Sequence, residues 1–341
     1  MDRVWPIAIP EQPLSVAETE RAEASTSSGA HAEVESDVER VLEAARDHAR
    51  ESRRDVAIEI LRKGIVAHAR SADMLSLLGD LLSRTGAFEE ADLYFGRAVE
   101  LKPNDVDVRY REGLHSARQG HGTRARHAYE EVVRLDPGHV RGWVNLGLAR
   151  ADLGDRDAAL VALRRAVTLD AACAEAHANL GVLYAESGMR AEAVEEFRKA
   201  VALSPESSEA HFNLGWALLG EDEIEEAESL LAESVRLDAS NVESMYALAL
   251  LHLKVGNNAR AVTELKQAIE QSPDDARLHY HLGVAYNAQD AVDQAILALE
   301  CAARLKPDDG RVHRLLGVAY DKKELPLRAR EAYRRAAALN G

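Results

Sequence analysis

From Val38 onward, apolar residues return at helical rather than strand spacing. In the stretch that starts at Ala174, His177, Leu180, Gly181 and Tyr184 stand at i, i+3, i+4 and i+7, one face of a helix. Gly188 then predicts the end of that helix, because glycine enters the left-handed backbone region without steric cost. Ala193, Phe197 and Ala200, at i, i+4 and i+7, predict a second helix that runs to Leu203 and stops ahead of Pro205. No segment alternates as a strand would.

The helix pair recurs at an offset of 34 residues, which aligns Ala176–Tyr184 with Ala210–Leu218. The same offset carries Gly79 to Gly113, Gly147, Gly181 and Gly215, passes Ala249, and resumes at Gly283 and Gly317. It also joins Pro103, Pro137, Pro205, Pro273 and Pro307, with Ala171 and Ala239 in the intervening units. Nine units result, starting at Val38, Ala72, Val106, Val140, Ala174, Ser208, Val242, Ala276 and Gly310, with no insertion between them. A single short helix pair is marginal in water, whereas stacked pairs cover each other's apolar faces.

A 34-residue helix-turn-helix unit with Gly, Tyr, Ala, Phe, Ala and Pro at these places resembles the tetratricopeptide repeat. The resemblance implies an all-α fold, a right-handed α-solenoid or superhelix, and a role in binding rather than catalysis. It covers Ala72 to Asn340 well. In 38–71 it is weak, with Ala45 in place of glycine and Gly64 in place of alanine, as a degenerate N-terminal capping repeat would be. Residues 72–341 then form eight repeats in one continuous solenoid.

Ahead of the repeats, residues 1–37 hold Pro6, Pro10 and Pro13 and eight acidic residues against Arg3 and Arg21, which predicts a disordered acidic tail. Within it Val4–Pro10 is an apolar island, a candidate docking motif. The whole chain has 58 acidic and 42 basic residues, a formal charge of −16. Such a surface repels phosphate backbones and anionic lipid, so the expectation is no nucleic acid and no membrane insertion. The longest apolar run, Met245–Leu253 broken by His252, is too short to cross a bilayer. Two cysteines and no secretory signal point to a reducing, cytoplasmic setting.

No catalytic constellation emerges. His177, His211, His279 and His313 take equivalent places, one per unit, too far apart to share a metal ion. Trp143 and Met245 occupy the same place elsewhere, so these side chains read as packing groups. Phosphate-loop, dinucleotide and nucleophile-elbow motifs are absent, Cys173 falls in a turn with no partner to activate it, and no cofactor is expected.

In the resembled family the first helix of each pair lines the concave side. That implication places Asn145, Asn179 and Asn213 in a row over three successive units, where a side-chain amide offers donor and acceptor to a peptide backbone. Beside the row come Phe212 and Trp216, with Tyr110, Tyr246 and Tyr280 at places equivalent to Phe212, as candidate aromatic anchors. Arg84, Arg111, Arg118 and Arg141 predict a basic inner wall suited to a carboxylate, with Asp73, Asp80 and Asp107 close enough to pair with them. The family's two-carboxylate clamp is not matched by Ser76 with Asp80 or Tyr110 with Leu114. On the final helix Ala329, Ala332, Tyr333 and Ala336 suggest end-to-end or domain-swapped self-association, whereas Arg328, Arg330, Arg334 and Arg335 would instead solvate that face. The sequence thus reads as a non-catalytic scaffold or adaptor that binds an extended peptide or partner segment in the groove. The alternatives are a regulatory or substrate-presenting array of an enzyme system, akin to the repeats preceding some protein glycosyltransferases, and a helical RNA-binding array.

Overall fold

The turn inside each pair needs a left-handed residue, and the sequence supplies one at the same place in every unit where that turn is described. Gly86, Gly120, Gly154, Gly188 and Gly256 take φ between 74° and 83° there. Ser52, Asp290 and Glu324 fill the equivalent place at φ 61°, 58° and 59°, against the preference of residues with a Cβ. Residues 27–220 and 223–339 are described by the structure, a computed structural model. They form eighteen helices and no strand, so the fold is all-α.

The chain divides into two compact units, one ending at Pro137 and the other starting at Gly138. The first holds α1 (Ser27–Arg50), α2 (Arg54–Ala67), α3 (Ala72–Arg84), α4 (Phe88–Leu101), α5 (Val106–Arg118) and α6 (Gly122–Leu135). The second opens with α7 (Val140–Asp152), α8 (Arg156–Leu169), α9 (Ala174–Glu186), α10 (Arg190–Leu203), α11 (Ser208–Gly220) and α12 (Ile224–Leu237). It continues through α13 (Val242–Lys254), α14 (Asn258–Gln271), α15 (Ala276–Ala288), α16 (Val292–Leu305), α17 (Gly310–Lys322) and α18 (Pro326–Leu339). Within each unit, helix pairs stack in sequence as an α-solenoid.

The predicted helix ends hold, with one correction at the start. Helix α1 begins at Ser27, inside the segment expected to be disordered, and runs for 24 residues where the other first helices run for 13. Ala30, Ala32, Glu33 and Glu35 are good helix formers, and that local propensity extends α1 ahead of Val38. The rest of the acidic tail, with the Val4–Pro10 island, lies outside the described residues.

Close approach of the two helices in a pair rests on glycine. A Cβ added to Gly181 would lie 2.6 Å from a ring carbon of Phe197, and one at Gly147 would lie 2.7 Å from Leu163 Cγ. Phe197 and Leu163 are buried in the core that runs from Val144 to Leu251. The weak resemblance of the first repeat has a packing reason: Gly64, in place of alanine, makes room for Val41 and Met74. Its left-handed turn at Ser52 marks it as a repeat all the same.

Most first helices are capped by the residue just before them. Ser71, Asp105, His139, Ser207, Asn241, Asp275 and Asp309 each accept a backbone N–H of the first turn. Cys173, before α9, makes no such bond.

Candidate peptide-binding face

In the second unit each odd-numbered helix touches the next odd-numbered one, from α7 to α17, while successive even-numbered helices do not approach comparably. Like helices converge on the inner side of a curved stack, so the odd-numbered helices line that side. Three of the expected site residues there are asparagines. Asn145 on α7, Asn179 on α9 and Asn213 on α11 are all half-buried. The amides of Asn179 and Asn213 have no hydrogen-bond partner among the described residues, although each is an obligate donor and acceptor.

Trp216 stands one turn beyond Asn213 and is 47% exposed, with its ring stacked on Phe212 at 6.2 Å and 25°. Phe212 also packs against the core, which fixes the pair. Val182, at the place equivalent to Trp216 on α9, is exposed beside them. The result is an apolar patch of one large ring and one small side chain, flanked by two amides with unused hydrogen-bonding capacity. Arg141 on α7 is exposed.

Further along, Tyr246 and Tyr280 are half-buried and each carries an arginine from the following repeat over its ring. The Arg277 guanidinium lies 5.1 Å from the Tyr246 centroid, and Arg311 lies 5.5 Å from that of Tyr280. His281 is edge-on to both rings, at 5.3 Å from Tyr246 and 4.9 Å from Tyr280. Its Nδ1–H donates to Arg277 O at 2.9 Å, and burial pushes its pKa down. Burial likewise raises the Tyr246 phenol. Arg277 and Arg311 are not among the candidate residues that the sequence puts forward. Their signal was present, since an arginine follows each of these tyrosines at the same interval of 31 residues.

In the first unit, Arg118 donates to Asp80 Oδ1 at 2.8 Å and to Ser83 Oγ at 3.2 Å, and Arg84 donates to Asp80 Oδ2 at 2.9 Å. Arg111 donates to Ser76 Oγ at 3.1 Å. Asp80 is only 6% exposed, and Ser76 and Ser83 are buried. Arg111 and Arg118 thus tie α5 to α3, while Arg84 pairs with Asp80 one turn away within α3, so the inner wall here carries ion pairs as well as arginines. Asp73, the other nearby acid, pairs instead with Lys102 at 2.9 Å. Tyr110 is half-buried, with its ring 6.0 Å from that of Tyr129.

The repeated histidines have a local task. The Nε2–H of His279 donates to Pro273 O at 2.7 Å, that of His313 to Pro307 O at 2.8 Å, and that of His177 to Ala171 O at 3.1 Å. Each bond ties the start of a first helix to the turn six residues before it. Nδ1 of His177 also meets Glu196 Oε2 at 2.5 Å, and this contact, with Lys199, holds the Glu196 carboxyl below its usual range despite burial. His211 turns to Ser207 O instead, and Met245 at the same place has no donor. The joint before α13 carries hydroxyls in compensation, with Ser234 Oγ 2.7 Å from Ser244 Oγ and 3.0 Å from Ser208 Oγ. Among the described residues no cluster of His, Cys, Asp and Glu could hold a metal ion, and no helix is long and apolar enough to cross a membrane. On α18, Arg330, Arg334 and Leu327 face outward, and Tyr333 donates to Asp321 at 2.8 Å.

Comparison with known proteins agrees with this architecture. Residues 139–341 match the family model described as cilia and flagella-associated protein 70 C-terminal domain, and residues 42–106 match a tetratricopeptide-repeat model. No curated protein matches the chain in sequence. Among solved structures, the Cut9–Hcn1 hetero-tetramer of the APC/C is similar at 19% identity and a TM-score of 0.60, covering 82% of this chain and 55% of that one. This chain thus spans about half the length of that relative. YrrB, a TPR protein with an unusual peptide-binding site, matches at 22% identity and a TM-score of 0.49 over 59% of this chain and all of its own. MamA from Desulfovibrio magneticus RS-1 matches at 22% and 0.47 over 49% of this chain and 94% of its own. At these identities the likenesses concern the fold.

Proposed function

The chain belongs to the tetratricopeptide-repeat family described as the C-terminal domain of cilia and flagella-associated protein 70, and from that membership we propose that it is a protein-interaction scaffold. Its working surface is the inner face of the second unit, where it holds an extended segment of a partner protein. The observation that carries this reading is the pair of unpartnered amides, Asn179 and Asn213, next to the exposed Trp216. A peptide backbone offers alternating C=O and N–H groups, which a side-chain amide satisfies whatever the peptide's sequence. Trp216 supplies the apolar anchor that backbone capture lacks, since aromatic residues dominate the energetics of such interfaces. Arg141 and Asn145 extend the same face on α7.

The test is a displayed library of unstructured peptides, selected on the full chain. Changing Asn179, Asn213 and Trp216 together to Ala is expected to weaken the selected peptides at least about tenfold, a loss typical of truncated hot spots, while helicity by circular dichroism stays unchanged. Undiminished binding by the triple variant contradicts the reading.

A further inference from the structure

Beyond the amide row, the inner face holds one concavity with a chemistry of its own. A pocket of about 190 Å³ opens between α13, α15 and α17, framed by Tyr246, Tyr280, Arg277, Arg311, Lys306 and Asp309. Three of these side chains are cationic and one is anionic, in a chain whose formal charge is −16. His281 completes the wall without adding charge, since burial disfavours its protonated form.

The cations differ in what they have left to offer. Arg277 is mostly engaged, with Asp275 on Nε and Nη2 and Glu243 on Nη1 and Nη2, which leaves one Nη1–H. Arg311 spends Nε and Nη2 on Asp309, at 3.0 and 2.7 Å, and keeps Nη1 uncommitted. The Lys306 ammonium has no carboxylate within ion-pair distance among the described residues. One guanidinium edge and one ammonium therefore remain at the pocket with hydrogen-bond donors unspent. The guanidinium is held in place by the Tyr280 ring and by Asp309, so little ordering entropy is lost when it takes up an acceptor.

Volume narrows the ligand. A space of about 190 Å³ is roughly the share of six water molecules in the liquid. It is below the size usual for cofactor and drug-like sites, about 300 Å³ and more. It accommodates one short side chain or one chain end. We propose that this pocket is a carboxylate-binding subsite, in which Arg311 Nη1 and Lys306 Nζ receive an aspartate or glutamate side chain, or a terminal carboxylate, of the peptide held on the inner face. The proposal rests on the scaffold reading for the origin of the carboxylate, but the pocket's own chemistry is measurable without any partner.

The experiment is a titration of the full chain, isotope-labelled, with three small probes, followed by NMR at Tyr280, His281 and Arg311. N-acetyl-glutamate N-methylamide presents a side-chain carboxylate, N-acetyl-alanine presents a terminal one, and N-acetyl-glutamine N-methylamide is the uncharged control. Saturable shifts at these three residues with an acidic probe and none with the control are expected, and the probe that works identifies the source of the carboxylate. Lys306→Gln is expected to weaken the acidic probe about tenfold, the worth of one hydrogen bond to a charged group, and Lys306→Arg to restore it. Lys306 is exposed, so neither variant threatens the fold. Equal shifts with the control, no saturable shift with either acid, or an unchanged affinity in Lys306→Gln overturns the proposal. The same titration on the Asn179/Asn213/Trp216 triple-alanine variant separates the two readings. Unaltered probe binding there upholds the pocket even where peptide capture never depended on the amide row.

Discussion

The two units place different residues at the same repeat positions, and the contrast explains which of them has a surface to spare. Ser76 and Asp80 on α3 occupy the places that Phe212 and Trp216 occupy on α11. In the first unit these small polar groups disappear under Arg111 and Arg118, and Asp80 is buried between two guanidiniums. In the second unit the larger rings hold the place open, and the neighbouring amides keep their hydrogen-bonding capacity. One backbone pattern thus makes either a closed polar seam or an open apolar face, and the choice is made by two side chains per repeat.

The largest expected effect comes from breaking the closed seam. Asp80→Ala leaves two arginines facing a buried void and should cost about 3 kcal/mol, the lower end for a broken buried pair because Arg84 and Arg118 are partly hydrated. A urea titration of the full chain should show that loss in the transition of the first unit, with the second unchanged. A shift of both would mean that the units do not unfold separately. In the second unit, Gly181→Ala forces a methyl to within 2.6 Å of the Phe197 ring and should cost about 2 kcal/mol, read in the other transition.

Smaller changes sharpen the contrast from the stabilising side. Cys173→Asp supplies the cap that α9 lacks and should raise the second transition by about 1 kcal/mol, with the first unmoved. The smallest effect is a slope. Asp309 is held down to about 2 by hydrogen bonds from Arg311 and its backbone N–H, against the usual value of 3.8. Its contribution is therefore complete above the unfolded value and is lost as pH falls from about 4 towards 2. Asp309→Asn should flatten the acid limb of the second unit's stability in that window, as measured by thermal melts across pH.

Much of this was legible in the sequence, because a fixed interval of 34 residues sets the helical phase of every position at once. The glycine against Phe197, the turn at Gly188 and the helix end before Pro205 follow from local chemistry alone. The Asp80 seam does not follow from it. The sequence offers Asp73, Asp80 and Asp107 as partners for the arginines, and only the approach of α5 to α3 selects Asp80 and the two serines for Arg118 and Arg111 and leaves Asp73 to Lys102. The tyrosine–arginine contacts escaped for the same reason, since each joins residues from successive repeats. The start of α1 at Ser27 reflects helix propensity without an apolar face, which a search for periodicity passes over.

The histidine bonds between neighbouring repeats also bear on how the stack yields to force. His177, His279 and His313 rivet three joints of the second unit, each to a carbonyl six residues upstream, while the joint before α13 depends on serine hydroxyls. A rod with unequal fastenings does not flex uniformly. The joint before α11 lacks the six-residue bond as well, since His211 turns to Ser207 O, so tension should extend the joints before α11 and α13 ahead of those before α9, α15 and α17.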